Sequence, residues 1–161
     1  QGCVEAMAAA PAMARMALAA AQAGESALLA ERLQATGTLT TEDVAQASRA
    51  GDVAANAIIQ RAGSLVGQML ASIVNFFNPS HVFIAGRVTD MGPLFLASVR
   101  QSVYHRSLAL STRHLEIQYA PLADDAGVVG AGVLAMQESL SRAGSISGSG
   151  SAAGVGVGAV R

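Results

Sequence analysis

The chain has 161 residues, 52% hydrophobic and 13% charged, with a formal net charge of -1. That length suits one domain or one lobe of a larger protein. The near-neutral balance excludes a basic surface for nucleic acid or anionic membrane. A single cysteine, Cys3, excludes an internal disulfide and fits a reducing cytoplasm. No charged n-region precedes an apolar core, so no signal peptide is read. The opening Gln1-Gly2 makes the chain read as starting inside a longer protein. The best candidate for a membrane span, "AGSLVGQMLASIVNFF" at 62–77, has 16 residues and is interrupted by Ser64, Gln68, Ser72 and Asn75. A span needs about 20 mostly apolar residues, so a buried core helix is expected there and no membrane role.

Residues 3–22 are rich in Ala and Met and favour helix, with Pro11 splitting them into two pieces. "ESALLAERL" (25–33) reads as a short amphipathic helix. Thr38 to Asp43 supply a threonine cap and acids for a first turn, and Gly51 ends that helix near Ala50. Asp52 caps the next, whose apolar positions Ile58, Ala62, Leu65, Val66, Met69, Leu70, Ile73 and Phe77 recur at steps of three and four. Asn78-Pro79 closes it. Its wide apolar face predicts more than one neighbour, and Phe76, Phe77, Met69 and Leu70 predict self-association as a two-fold dimer through the 3–77 region.

After Pro79 the pattern changes to a strand (81–85), a helix (about 91–107), a second strand (115–120) and a helix (about 124–141). Strand–helix–strand–helix predicts a parallel sheet with right-handed crossovers. Two strands make a poor sheet, so strands from outside this stretch are expected to complete it. From Arg142 the Gly/Ser/Ala composition predicts a flexible tail, 142–161.

Taken alone, these residues name no substrate. His81, His105 and His114 lack metal-ligand spacing, and neither a Walker loop nor a G-x-S-x-G elbow is present. Solvated or capping roles are expected for the histidines, and Cys3 reads as a small buried hydrophobe. Asp124 and Asp125 are cap candidates for the last helix. Gly127, Gly130 and Gly132 within it each cost up to about 1 kcal/mol relative to Ala, which predicts close approach by a neighbouring element. "HVFIAGRVTDMGPLF" (81–95) has the form of a phosphate-cradling strand–loop–helix, but with Arg87 directly after Gly86.

In order along the chain, "GCVEAMAAAPAMARMA" (2–17), "NPSHVFIAGRVTDMGPLFLASVRQSV" (78–103) and "LADDAGVVGAGVLA" (122–135) resemble the C-terminal lobe of the ROK family of sugar-responsive repressors and sugar kinases. The resemblance covers about residues 2–140. It implies an α/β fold, the C-terminal lobe of an actin-like (ribonuclease H-like) sugar kinase fold, helix-rich with a partial parallel sheet, over residues 1–141. It implies that Cys3 is one of four zinc ligands in the full-length protein, the other three lying before residue 1, and that this chain by itself holds no cofactor. It implies that Glu5 accepts hydrogen bonds from sugar hydroxyls, which suits an ionised carboxylate.

In the family's kinases the strand matching 81–85 ends in three glycines; here it ends in Ala85-Gly86-Arg87. A Cβ at 85 and a guanidinium at 87 crowd a nucleotide, so the loop is expected to be inactive, although an arginine can also pair with phosphate. The leading expectation is a cytoplasmic, non-catalytic, sugar-sensing repressor lobe, with no catalytic residue in this chain. DNA would be bound through an upstream winged helix-turn-helix and not through this chain. The rivals are the C-terminal part of an ATP-dependent ROK sugar kinase, of glucokinase or N-acetylhexosamine kinase type, and a stand-alone dimerisation module.

Overall fold

The computed structural model describes residues 3–121 and 125–147, and divides the chain into two units, 1–123 and 124–161. In the first unit, helices α1 (Val4–Ala8), α2 (Ala10–Gln22), α3 (Ala27–Thr36), α4 (Thr41–Arg49) and α5 (Val53–Phe77) precede strand β1 (His81–Ile84). A 3-10 helix (Arg87–Met91), helix α6 (Gly92–Arg106), the short α7 (Ala109–Thr112) and strand β2 (Glu116–Tyr119) follow. The second unit is helix α8 (Ala126–Ser147). The expected fold class stands: helix-rich, with a small parallel sheet in which His81 pairs with Glu116 and Ile84 with Tyr119.

Local chemistry explains the breaks. Ala9 is extended, with Pro11 in the first turn of α2, where its missing N–H is no loss. Thr40 and Asp43 form a reciprocal capping box at the start of α4. Asp52 caps α5 by accepting from the Ala55 N–H at 2.8 Å. Ser26, a cap the sequence reading did not name, accepts from the Leu29 N–H at 3.0 Å and donates to Asp52 at 2.7 Å. The starts of α3 and α5 are thereby tied together, and Ser26 is almost wholly buried there. Asn78 closes α5 in the left-handed region, φ 47°, where Asn is tolerated better than most residues.

Helix α5 is the hub, contacting α1, α2, α4, α6 and α7. Its buried face follows the apolar periodicity only in part. Ala55, Ile58, Ile59, Ala62, Gly63, Gly67, Ala71 and Val74 are buried; of the periodic set, Leu65, Val66 and Leu70 pack against this core, whereas Ile73 is exposed together with Met69 and Phe77 of the expected association patch. The reason is close packing by α6. A Cβ on Gly63 would lie 2.8 Å from both the Phe95 carbonyl oxygen and the Ser98 Cβ; one on Gly67 would lie 2.6 Å from the Ser102 Cβ and 2.7 Å from the Val99 carbonyl oxygen. Glycines four residues apart face serines four residues apart, so the helices approach to backbone contact. Phe95, Val99 and Val103 of α6 are fully buried beside this seam, each contributing about 1.5–3 kcal/mol by leaving water.

Two other expectations need correction. Helix α5 has 25 residues, so length no longer argues against a membrane span. By length and composition it and the stretch Val4–Gln22 could cross one. Both nonetheless bury a face inside this unit, as core helices do. Within the second unit nothing approaches Gly127, Gly130 or Gly132, while close approach through glycine is found in the first unit at Gly63 and Gly67. Helix α8 runs to Ser147, past the expected end near 141. Asp124 and the tail beyond Ser147 lie outside the described residues.

Two predictions follow from this packing. Gly67→Ala gains up to about 1 kcal/mol of helix propensity. It also places a methyl against a carbonyl that cannot yield without moving α6, an overpacking cost of about 1–3 kcal/mol. A net loss is expected, read as a lower urea midpoint, while Gly127→Ala, which adds a methyl that meets nothing within its own unit, does not lower the stability of its helix. The second concerns Asp43, buried among the helix starts. Burial raises its pKa, but hydrogen bonds from the Thr40 hydroxyl and backbone N–H and the Arg32 guanidinium outweigh this and hold it below 3.8. A depressed folded pKa adds stability above the unfolded value, lost as pH falls through the folded one. Asp43→Asn is expected to destabilise at pH 7 by on the order of 1–2 kcal/mol, with the gap to the unsubstituted protein closing as acid is added below pH 3.8.

Candidate functional site

Glu5 sits in the first turn of α1, its carboxylate exposed. It lines a shallow groove of about 260 Å³ with Cys3, Pro11 and Arg15. Arg15 stiffens this corner by donating from Nη2 to the Ala6 carbonyl at 2.9 Å. The groove thus offers an exposed carboxylate beside a fixed guanidinium, a pairing able to accept from and donate to hydroxyl groups. Cys3, expected as a small buried hydrophobe, is exposed. It stands at the start of α1, on the rim of this groove.

The loop Ala85-Gly86-Arg87 leaves the end of β1. Gly86 has φ 86° and ψ -171°, a backbone conformation open to glycine alone. Its carbonyl accepts from the Thr89 N–H at 3.0 Å and the Thr89 hydroxyl at 2.9 Å, which starts the 3-10 helix. A Cβ at 86 would meet nothing within 4 Å, so conformation rather than crowding demands the glycine. Ala85 and Arg87 have no positive φ, and both side chains are exposed. The turn therefore needs one glycine, and it has that one. The Glu5 groove is lined by α1, α2 and their junction, and the loop is not part of it.

The remaining candidates carry less. His81 Nδ1 lies 2.9 Å from the Ser80 hydroxyl, its Nε2 lies 3.7 Å from Glu116, and its ring stacks on Phe83 at 6.1 Å. His105 falls in the last turn of α6, where a cation suits the helix dipole, and His114 is exposed. Among the described residues no three His, Cys, Asp or Glu side chains group as metal ligands. A groove of about 310 Å³ between α3 and α4 holds the 2.6 Å Arg32–Asp43 ion pair, missed in the sequence because its partners lie on different helices. Capping and pairing occupy Asp43, so it leaves no free group for a ligand.

A family model described as "ROK family" matches residues 1–138. The chain is 31% identical over 137 residues to a glucokinase of Halalkalibacterium halodurans, covering 85% of this chain and 42% of that protein. It is 26% identical over 96 residues to the DNA-binding transcriptional repressor Mlc of Escherichia coli, covering 60% of this chain and 24% of that protein. The crystal structure of a ROK family glucokinase from Streptomyces griseus in complex with glucose and AMPPNP superposes with a TM-score of 0.73 at 30% identity, covering 85% of this chain and 45% of that one. The chain thus spans less than half the length of these relatives.

With Cys3 as its only thiol and tetrahedral zinc requiring four ligands, the 161-residue chain is expected to retain no zinc through purification. Elemental analysis checks this: about one zinc per chain, lost on Cys3→Ser, would mean that ligands come from a second copy.

Proposed function

Because this chain belongs to the ROK family, we propose that it is the sugar-sensing effector lobe of a cytoplasmic, non-catalytic ROK transcriptional repressor. The observation that carries this reading is the loop after β1. Its fold requires glycine only at Gly86, yet exposed side chains stand at Ala85 and Arg87. In the family's kinases glycine occupies all three places. Since the turn does not need the outer two, their role there is to let a nucleotide approach the backbone. Here a methyl and a long cation occupy that approach.

In the same reading, Glu5 accepts from the hydroxyls of a small sugar. Cys3 completes a zinc knuckle whose other ligands lie in the rest of the protein. DNA is bound through a winged helix-turn-helix elsewhere in the polypeptide. The exposed Phe76, Phe77, Ile73 and Met69 of α5 support pairing of two copies through this lobe. The second reading is the C-terminal part of an ATP-dependent sugar kinase. It is favoured by the longer match to glucokinase, 85% of this chain against 60% for Mlc.

A coupled assay of the full-length protein with ATP and glucose, N-acetylglucosamine or N-acetylmannosamine separates the two. The repressor reading expects no turnover, together with sugar binding that Glu5→Ala removes. Phosphorylation at even about 1 per second, an ordinary enzyme rate, establishes the kinase instead.

A further inference from the structure

A strand at the edge of a sheet presents unpaired N–H and C=O groups that template pairing with another chain. In the parallel ladder, Glu116 donates to the Ser80 carbonyl and Ala120 to the Ile84 carbonyl. The even-numbered residues of β2 therefore face β1, and Leu115, Ile117 and Tyr119 turn their backbone groups outward. Two of these outward carbonyls are already taken by side chains of α6. Tyr104 donates its hydroxyl to the Leu115 carbonyl at 3.2 Å, and Arg100 donates from Nε to the Ile117 carbonyl at 2.8 Å. The Leu115 N–H is used as well, bonding the Thr112 carbonyl at 3.3 Å. At the far end of the strand, Tyr119 donates its hydroxyl back to the Gly92 carbonyl at 2.7 Å. Burial raises the pKa of that phenol above its ordinary value.

The spacing makes this a matched set. Four residues of helix rise about 6 Å, and two residues of strand about 6.6 Å. Arg100 and Tyr104 therefore fall in step with Ile117 and Leu115 as the helix and strand run antiparallel. Among the described residues, the outward groups of His81 and Phe83 on β1 have no comparable cover.

We propose that Arg100 and Tyr104 close the β2 edge of this sheet against strand addition, the excluded partner being β2 of a second copy. They occupy the carbonyls such a partner would need, and Arg100 keeps a cation at the edge, where burial against another strand would strip its water.

The test uses the intact protein with Arg100→Ala and Tyr104→Phe together, followed by sedimentation across a hundredfold dilution and by amide hydrogen exchange. The expected result is association about tenfold tighter than in the unsubstituted protein, with new protection at the Ile117 and Tyr119 amides and unchanged circular dichroism. A folded variant with unchanged association and exchange overturns the proposal. New association whose protection falls on β1 or α5 overturns it equally. Should the double variant unfold, Tyr104→Phe alone, which removes one hydroxyl, must shift exchange at Ile117 and Tyr119 in the same direction, or the proposal fails.

Discussion

The contact on which the rest of the first unit depends is the seam between Gly63 and Gly67 of α5 and Ser98 and Ser102 of α6. Its chemistry is mostly absence: two missing side chains let a helix bring its backbone carbonyls against another helix. The Ser102 hydroxyl donates across the seam to the Ser64 carbonyl at 3.0 Å, while Ser98 satisfies itself on the Leu94 carbonyl at 2.8 Å. Neither hydroxyl is left unpaired in a buried place, which would cost about 1–3 kcal/mol each. The close approach in turn places Phe95, Val99 and Val103 where they are fully buried. Because α6 is the crossover between β1 and β2, fixing it on α5 also fixes the sheet.

The other end of the hub is held by polar bonds rather than by apolar contact. Asp52 spends one carboxylate oxygen on the start of α5 and the other on Ser26, which itself starts α3. Asp43 does the same for α4, with Arg32 of α3 as the partner. Two carboxylates thereby link α3 to the starts of both α4 and α5, through Arg32 in its body and Ser26 at its cap. A change in either acid acts on more than the helix it caps, and their energies are not expected to add independently.

Much of the element order was legible because caps and breaks are local. Thr40 with Asp43, Asp52, Asn78 and Pro11 each act within a few residues, and each marks the boundary the structure shows. The resemblance at 2–17, 78–103 and 122–135 likewise leads to the family that the comparisons support. The buried face of α5 was not legible by the same means. Periodicity counts large apolar residues, so it included the exposed Ile73 beside the buried Ile58 and passed over Gly63 and Gly67, which have no hydrophobicity to count. The signal lay in a spacing, glycines four apart on α5 and serines four apart on α6, and it acquires meaning only when the two helices are known to meet. Glycines in α8 attracted the close-packing argument because they were more numerous, yet within their own unit nothing approaches them.

The loop after β1 likewise holds one position that the backbone constrains and two that it does not. Gly86 is held by its backbone angles, and any protein that keeps this strand–turn–helix must keep a residue able to adopt them. Ala85 and Arg87 are under no such constraint, since their conformations suit ordinary residues and their side chains reach solvent. They can therefore be exchanged without disturbing the α5–α6 seam or the register of His81 with Glu116. A lobe built this way can exchange those two side chains while its packing stays the same.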